Sequence, residues 1–316
     1  MSSFLSALPG AISQGLIWGI MAIGVYITYK ILDIADLTVD GSFCTGGATF
    51  VVLFANGVNI WLALLAAFGA GLLAGLATGI LHTFCGIPAI LAGILTQLGL
   101  WSVNLAIMGM KANVAINVMD KESLNSLLVS LRFVQDVAKG DRPFWQHPIL
   151  MVGLFTIVII AVLYWFFGTE LGCSLRATGS NSSMARAQGI NTNFTKVLGL
   201  MLSNGLVALA GALLSQYQSF ADINMGRGAI VIGLAAVIIG EVLLGRLFRS
   251  FALKLLSVSI GAIIYYIVIQ AVLAMGLNSN YLKLLSALVV AVFLAFPYWK
   301  GKYFSRFGKK GAPTHA

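Results

Sequence analysis

Apolar runs of about 20 residues recur along nearly the whole chain, separated by short polar links, and each can cross a hydrocarbon core of about 30 Å as a helix. The runs are continuous and do not alternate, so helices are expected and a barrel is not. They predict helices over about 8–29, 44–55, 60–84, 89–110, 148–168, 196–217, 228–244, 251–275 and 281–297. The expected fold is an all-α integral membrane protein, a polytopic bundle of about nine transmembrane helices (about eight to ten). A re-entrant segment over 33–57 would lower the count and move the N-terminus to the other side of the membrane.

Small residues mark where helices should touch. Gly15, Gly19 and Gly24 form one small face in the first helix, and Gly71, Gly75 and Gly79 form a doubled small-xxx-small motif in the third. His82 reads as an interfacial or capped residue. Between the first two helices, Asp33, Asp36 and Asp40 precede Gly41 and a short apolar run. Two readings fit: a solvated loop in which Asp40 caps the second helix, or a helix broken inside the bundle whose carboxylates face a solute path. Asp36, Thr38, Asp40, Gln97, Asn104 and Asn204 are the candidate pathway residues. Hydrogen bonding between helices would equally explain the amides.

Residues 111–147 form the one long hydrophilic insertion, with nearly balanced charges, an alternating piece from Asn113 to Val118 and an amphipathic helix over Lys121–Val137. Such a loop tends to be functional. It is expected outside the cell, receiving a substrate-binding protein or capping the bundle. The single domain is drawn at 1–298, with a basic tail at 299–316. A second polar island, 169–196, separates two apolar segments. In it small residues alternate with Arg176 and Arg186, and Gly189 and Asn191 should stop a short helix.

Composition sharpens this picture. Of 316 residues 59% are hydrophobic and 9% charged, far below the roughly 25% charged of a soluble domain. The net charge of +9 comes from basic residues scattered in links and at the C-terminus, so topology accounts for it and no nucleic-acid partner is expected. Lys30, Arg176, Arg186, Lys196, Arg246, Arg249, Lys254 and the five tail residues Lys300, Lys302, Arg306, Lys309 and Lys310 fall on one side if the island and tail are inside. The C-terminus is then cytoplasmic and the N-terminus outside. The first 29 residues lack a basic n-region, which favours a retained helix over a signal peptide. Cys44, Cys85 and Cys173 have no spacing for a disulfide framework or metal site. Glu241 should pair with Arg246 or Arg249.

The island also carries a resemblance. Its Leu-Arg176-Ala-Thr-Gly179-Ser-Asn181, then Ala185-Arg186-Ala-Gln-Gly189-Ile-Asn191, then Lys196 and a helix with Ser203, Ala208, Gly211 and Ala212, resembles the coupling region of bacterial ABC importer permeases of the branched-chain amino acid and ribose type. Asp36-Leu-Thr-Val-Asp40-Gly-Ser is similar to the Asp-Leu-Ser-Val-Gly-Ser segment of ribose-type permeases, with an aspartate inserted. The likeness extends over about residues 10–298 and is strongest from Leu171 to Leu214. Within that family the chain most resembles a subgroup associated with amino-acid-type ligands, aromatic ones included.

That resemblance implies a permease subunit in the bacterial inner membrane, an ATPase partner, an extracytoplasmic substrate-binding protein and a permease homodimer. The ATPase-coupling residues would be Arg176, Ala177, Gly179, Asn181, Ala185, Arg186 and Gly189, and a bulky residue at Gly179 or Ala185 should uncouple hydrolysis from transport while sparing the fold. No G-x-x-x-x-G-K-[ST] pattern or catalytic grouping is present, so no enzyme activity and no cofactor is expected, and ATP would be used by the partner. The alternative is an ion-coupled secondary transporter with Asp33, Asp36, Asp40 or Glu241 as the coupling carboxylate.

Overall fold

The computed structural model describes residues 2–116, 147–245, 248, 250–274 and 282–299. The expected amphipathic helix at 121–137 and the basic tail lie outside them. Among the described residues the apolar helices are α1 (Ser2–Tyr26), α2 (Val39–Ala55), α3 (Ile60–Thr83), α4 (Ala89–Ile107), α5 (Pro148–Gly168), α8 (Thr192–Gln218), α9 (Ala229–Leu244), α10 (Phe251–Ala274) and α11 (Leu282–Trp299). Two short polar helices, α6 (Glu170–Ser180) and α7 (Ser182–Ala187), lie between α5 and α8. The alternating piece at 113 contributes β1 (Asn113–Ala115), which pairs antiparallel with β2 (Phe220–Asp222). Six of the helices are long and apolar enough to cross a membrane: α1 with its following turn, α3, α4, α5, α8 and α10.

Glycines set the crossings, because a missing Cβ lets backbones touch. Gly71, Gly75 and Gly79 of α3 lie against Asn204, Leu200 and Val197 of α8, so the two helices run antiparallel. Gly15 and Gly19 of α1 meet Ile263 and Ser259 of α10, while Gly24 turns to Ser203 of α8, whose hydroxyl donates to its carbonyl at 2.7 Å. Gly46 of α2 leaves no room for a Cβ beside the Ala208 carbonyl, and Gly211 of α8 does the same for Phe43. α8 thus sits at the centre, and its residues 203–208 and 210–217 are buried. α3, α4 and α5 are peripheral and turn Leu62, Leu73, Leu95, Leu98, Leu154 and Trp165 outward, as a lipid-facing layer does.

The bundle has two ends: β1 and β2 mark one, and α6 and α7 the other. α8, at 27 residues, is about 40 Å long and joins them. α2 and α9, with 17 and 16 residues, are only about 25 Å long, shorter than the hydrocarbon core. Both start at the same point inside the bundle. α2 leads from there toward the β end and α9 toward the α6–α7 end, where Glu241 meets Lys30 at 3.1 Å. The expected pair with Arg246 or Arg249 falls on residues outside the described ones. α1 ends in a π turn, Ile27–Ile31, after which residues 32–38 climb back to mid-bundle without helix. Extended chain 32–38 and α2 together run from the α6–α7 end of the bundle to the β end.

Candidate functional site at the helix break and the short-helix platform

Within a bilayer, chain that leaves the helix must satisfy its polar groups inside the protein. Residues 32–38 do so through two aspartates. Asp36 is 3% exposed. Its carboxylate accepts from the Thr38 backbone N–H at 2.9 Å and from the Asn204 amide at 2.7 Å. The Asn204 carbonyl accepts in turn from the Ser42 hydroxyl at 2.6 Å, and the Thr38 and Thr78 hydroxyls pair at 2.7 Å. Four elements, the break, α2, α3 and α8, are tied by this one closed network. Asp33 stands apart, with φ +55° and an exposed side chain.

Asp40 does something else. It lies in the first turn of α2, yet its carboxylate accepts from the Gly228 and Ile230 N–H groups at 2.9 and 3.0 Å, so it caps α9, 188 residues away, and not its own helix. One negative group thereby serves two helix N-termini, whose partial positive charges both favour it. The carbonyl of Asp40 also packs on Gly226, where no side chain could fit.

Beside this junction lies a cavity of about 200 Å³, lined by Asp40, Gln97, Trp101, Asn104, Arg227 and the Gly41 backbone among others. Asn104 is buried and donates weakly to the Gly41 carbonyl at 3.4 Å, while its own side-chain oxygen has no partner among the described residues. Arg227 is exposed and makes no ion pair among the described residues. The cavity therefore offers an open acceptor, an open cation and an aromatic wall, which suits a small polar solute.

The candidate pathway residues divide. Asp40, Gln97 and Asn104 share the cavity; Asp36, Thr38 and Asn204 form the network beside it and hold the break in place. Arg227 and Trp101 were not singled out from sequence. Arg227, set between Gly226 and Gly228 ahead of an apolar helix, was the available signal.

At the other end, α6 and α7 form a platform built on caps. Thr169 accepts from the Gly172 N–H, Asn181 from Met184 at 3.0 Å and Asn191 from Phe194 at 3.2 Å, so each of three successive helices starts on a side-chain oxygen. Gly189, at φ +83°, makes the turn between α7 and α8. The expected stop at Gly189 and Asn191 is thus a turn followed by a new cap. The Thr178 and Thr195 hydroxyls, 2.8 Å apart, fasten α6 to α8.

The seven expected coupling residues mostly shape this platform. Gly179 packs on the Ile31 carbonyl with no space for a Cβ, Ala185 is 3% exposed, and Ala177 is half-buried. A bulky residue at Gly179 or Ala185 would therefore disturb the fold, against the expectation that folding would be spared. Arg176 stacks over the Phe251 ring at 4.3 Å, and Arg186 donates to Thr192 at 3.1 Å. Exposed in 181–189 are Asn181, Ser183, Met184, Arg186, Ala187, Gln188 and Gly189, with Met184 63% exposed.

Residues 8–296 match the model of the family described as the branched-chain amino acid transport system permease component. The chain belongs to this permease family. Among its relatives, a tyrosine transport system permease protein of Clostridioides difficile is 38% identical over 92% of this chain and 91% of its own. An uncharacterized protein of Rickettsia prowazekii is 35% identical over 92% and 98%. The fructose import permease protein of Bifidobacterium longum is 24% identical over 81% and 68%. This permease is thus a membrane component of transport systems whose other members are named for amino acids and sugars, a transport subunit in kind.

Proposed function

We propose that this permease is the membrane-spanning subunit of an ATP-driven importer that carries a small polar solute, an amino acid or a related compound, through the bundle. The observation that carries this reading is the junction at Asp40: two half-length helices begin there beside a cavity whose Asn104 oxygen and Arg227 are open. Broken helices meeting at mid-depth are how backbone dipoles are brought to a solute. α2 and α9 each count as a crossing when joined to the non-helical chain before them, which gives about nine crossings with the N-terminus opposite the platform.

The platform receives the ATPase, and the insertion at 111–147, whose described start at 111–116 lies at the opposite end, receives a substrate-binding protein. Met184, Gln188 and their exposed neighbours are the contact surface; Gly179, Ala185 and Arg186 hold its shape. Because ATPases of this kind work in pairs, two copies of the chain form the transporter. The relative named for tyrosine transport, together with Trp101 in the cavity, supports an amino acid with an aromatic side chain. Three of the four carboxylates that ion coupling could use favour this reading, since Asp36 and Asp40 are engaged in holding helices and Glu241 is paired with Lys30, while Asp33 is exposed outside the network.

Single cysteines test the docking face. Ser183→Cys and Gln188→Cys should cross-link to a P-loop ATPase subunit expressed with the permease, and Lys111→Cys at the opposite end should not. Equal cross-linking from both ends, or none from the platform, would sink the proposal.

A further inference from the structure

A second cavity, of about 520 Å³, opens at the α6–α7 end between the π turn after α1, one face of α6 and the first turn of α10. Lys30, Arg176 and Lys254 all line it, with Ser180 and the rings of Tyr26 and Phe251. Lys30 is matched by Glu241. The other two cations are matched by no carboxylate among the described residues. The Arg176 guanidinium lies 4.3 Å from the centre of the Phe251 ring and 5.4 Å from that of Phe167, so its plane is set by stacking. Its N–H groups make no hydrogen bond among the described residues, so a ring-fixed fork of donors is left open to the cavity.

Three features of this cavity add with the same sign. Arg176 supplies a planar fork, Lys254 a mobile ammonium, and α10, at 24 residues, the positive end of its dipole. Ser180 adds a hydroxyl. Close, unmatched cations repel each other, and a ligand with several charged oxygens relieves that repulsion while using the fork in two-pronged fashion. The cavity is recessed between helix ends, beside α6 and away from the outward face of α7, at the level where the apolar spans give way to polar chain. Phospholipid phosphates sit at that level.

We propose that this cavity binds a phosphate group, presented by an anionic phospholipid headgroup, and that the bound phosphate fastens α6 to α1 and α10. The site is independent of the solute cavity, since no residue lines both. Its ligand makes the platform rigid relative to the bundle, so that force on α6 reaches α1.

The full chain, purified and delipidated, would be returned to nanodiscs of phosphatidylcholine alone or with phosphatidylglycerol, and retained lipid counted by native mass spectrometry beside the unfolding temperature. Phosphatidylglycerol should be retained and should raise that temperature. Arg176→Gln with Lys254→Gln should weaken retention about tenfold, as the loss of one charge-assisted contact does, whereas Lys254→Arg and Lys111→Gln should bind as the parent does. Should the double variant fail to fold, Lys254→Gln alone should still lose about threefold, a fraction of one such contact.

Inorganic phosphate at millimolar concentration separates the sources. Stabilisation by it alone, lost in the same variants, assigns the site to free phosphate; no response to it with a response to phosphatidylglycerol assigns it to lipid. Equal retention by parent and variants overturns the proposal. So does a variant that loses a co-purifying ATPase while keeping its lipid, because the cations would then serve a protein carboxylate.

Discussion

Residues 32–38 and residues 181–191 both interrupt helical chain, and they are sealed by different means. At the first break the polar partners are buried: Asp36, Asn204, Thr38 and Ser42 are all within 3% exposure. At the second, Asn181 and Asn191 are exposed and each bonds to a nitrogen only three residues on. A buried break has no water to fall back on, so losing one partner strands the others. An exposed cap can be replaced by solvent. The mid-bundle break is therefore a fixed element around which the bundle packs, while the platform is a surface whose shape is tuned cheaply and whose outward side chains are free to serve a partner.

That contrast is broken most directly at Asp36. Asp36→Ala leaves the Thr38 N–H and one of the two Asn204 amide hydrogens without an acceptor in a dry site, the other still donating to the Leu200 carbonyl at 3.0 Å, and about 3 kcal/mol of stability should be lost, read as a drop in unfolding temperature in detergent. A loss no larger than at Asn181 would erase the difference between the two breaks. Asp40→Ala should cost less, about 1–2 kcal/mol, since it removes the cap of α9 and a favourable charge at the start of α2 but strands no closed network. Transport should fall further than stability, as the cavity loses its charge. Asn181→Ala should cost about 1 kcal/mol, the ordinary value for an exposed cap.

Lys30→Ala and Glu241→Ala sharpen the low end. Their pair is partly exposed, with side chains 49% and 36% accessible, so the loss should be about 0.2–1 kcal/mol and should shrink in high salt. Met184→Ala should change stability by no more than about 0.5 kcal/mol and yet lower ATP-coupled transport, because its side chain is exposed and points away from the bundle. A stability loss there in proportion to the transport loss would place Met184 with the shaping residues.

Much of the fold was legible because a span of about 20 apolar residues has few other uses. Each expected apolar helix is present among the described residues, with shifts such as Thr192 for Lys196 at the start of α8 and Val39 for Cys44 at the start of α2, where polar first turns hid the boundary. The glycine faces were legible as contacts but not as pairs, since nothing local says that Gly71 meets Asn204. The role of Asp40 was least legible. Its two partners lie 188 and 190 residues away, and a cap looks the same in sequence whether it serves its own helix or another. The platform was visible as a polar island, but of the small residues expected to face the ATPase, Gly179 and Ala185 pack inward while Gly189 stays exposed. Small size marks close packing, and only the fold says against what.

The central claim, that transport is driven by a partner acting on the platform and not by ions on the carboxylates, is tested by uptake into proteoliposomes holding the permease with its ATPase and binding protein. Uptake should require ATP, vanish without the ATPase and persist when an uncoupler collapses the proton gradient. Uptake by the permease alone, driven by an ion gradient and abolished by the uncoupler, would contradict it.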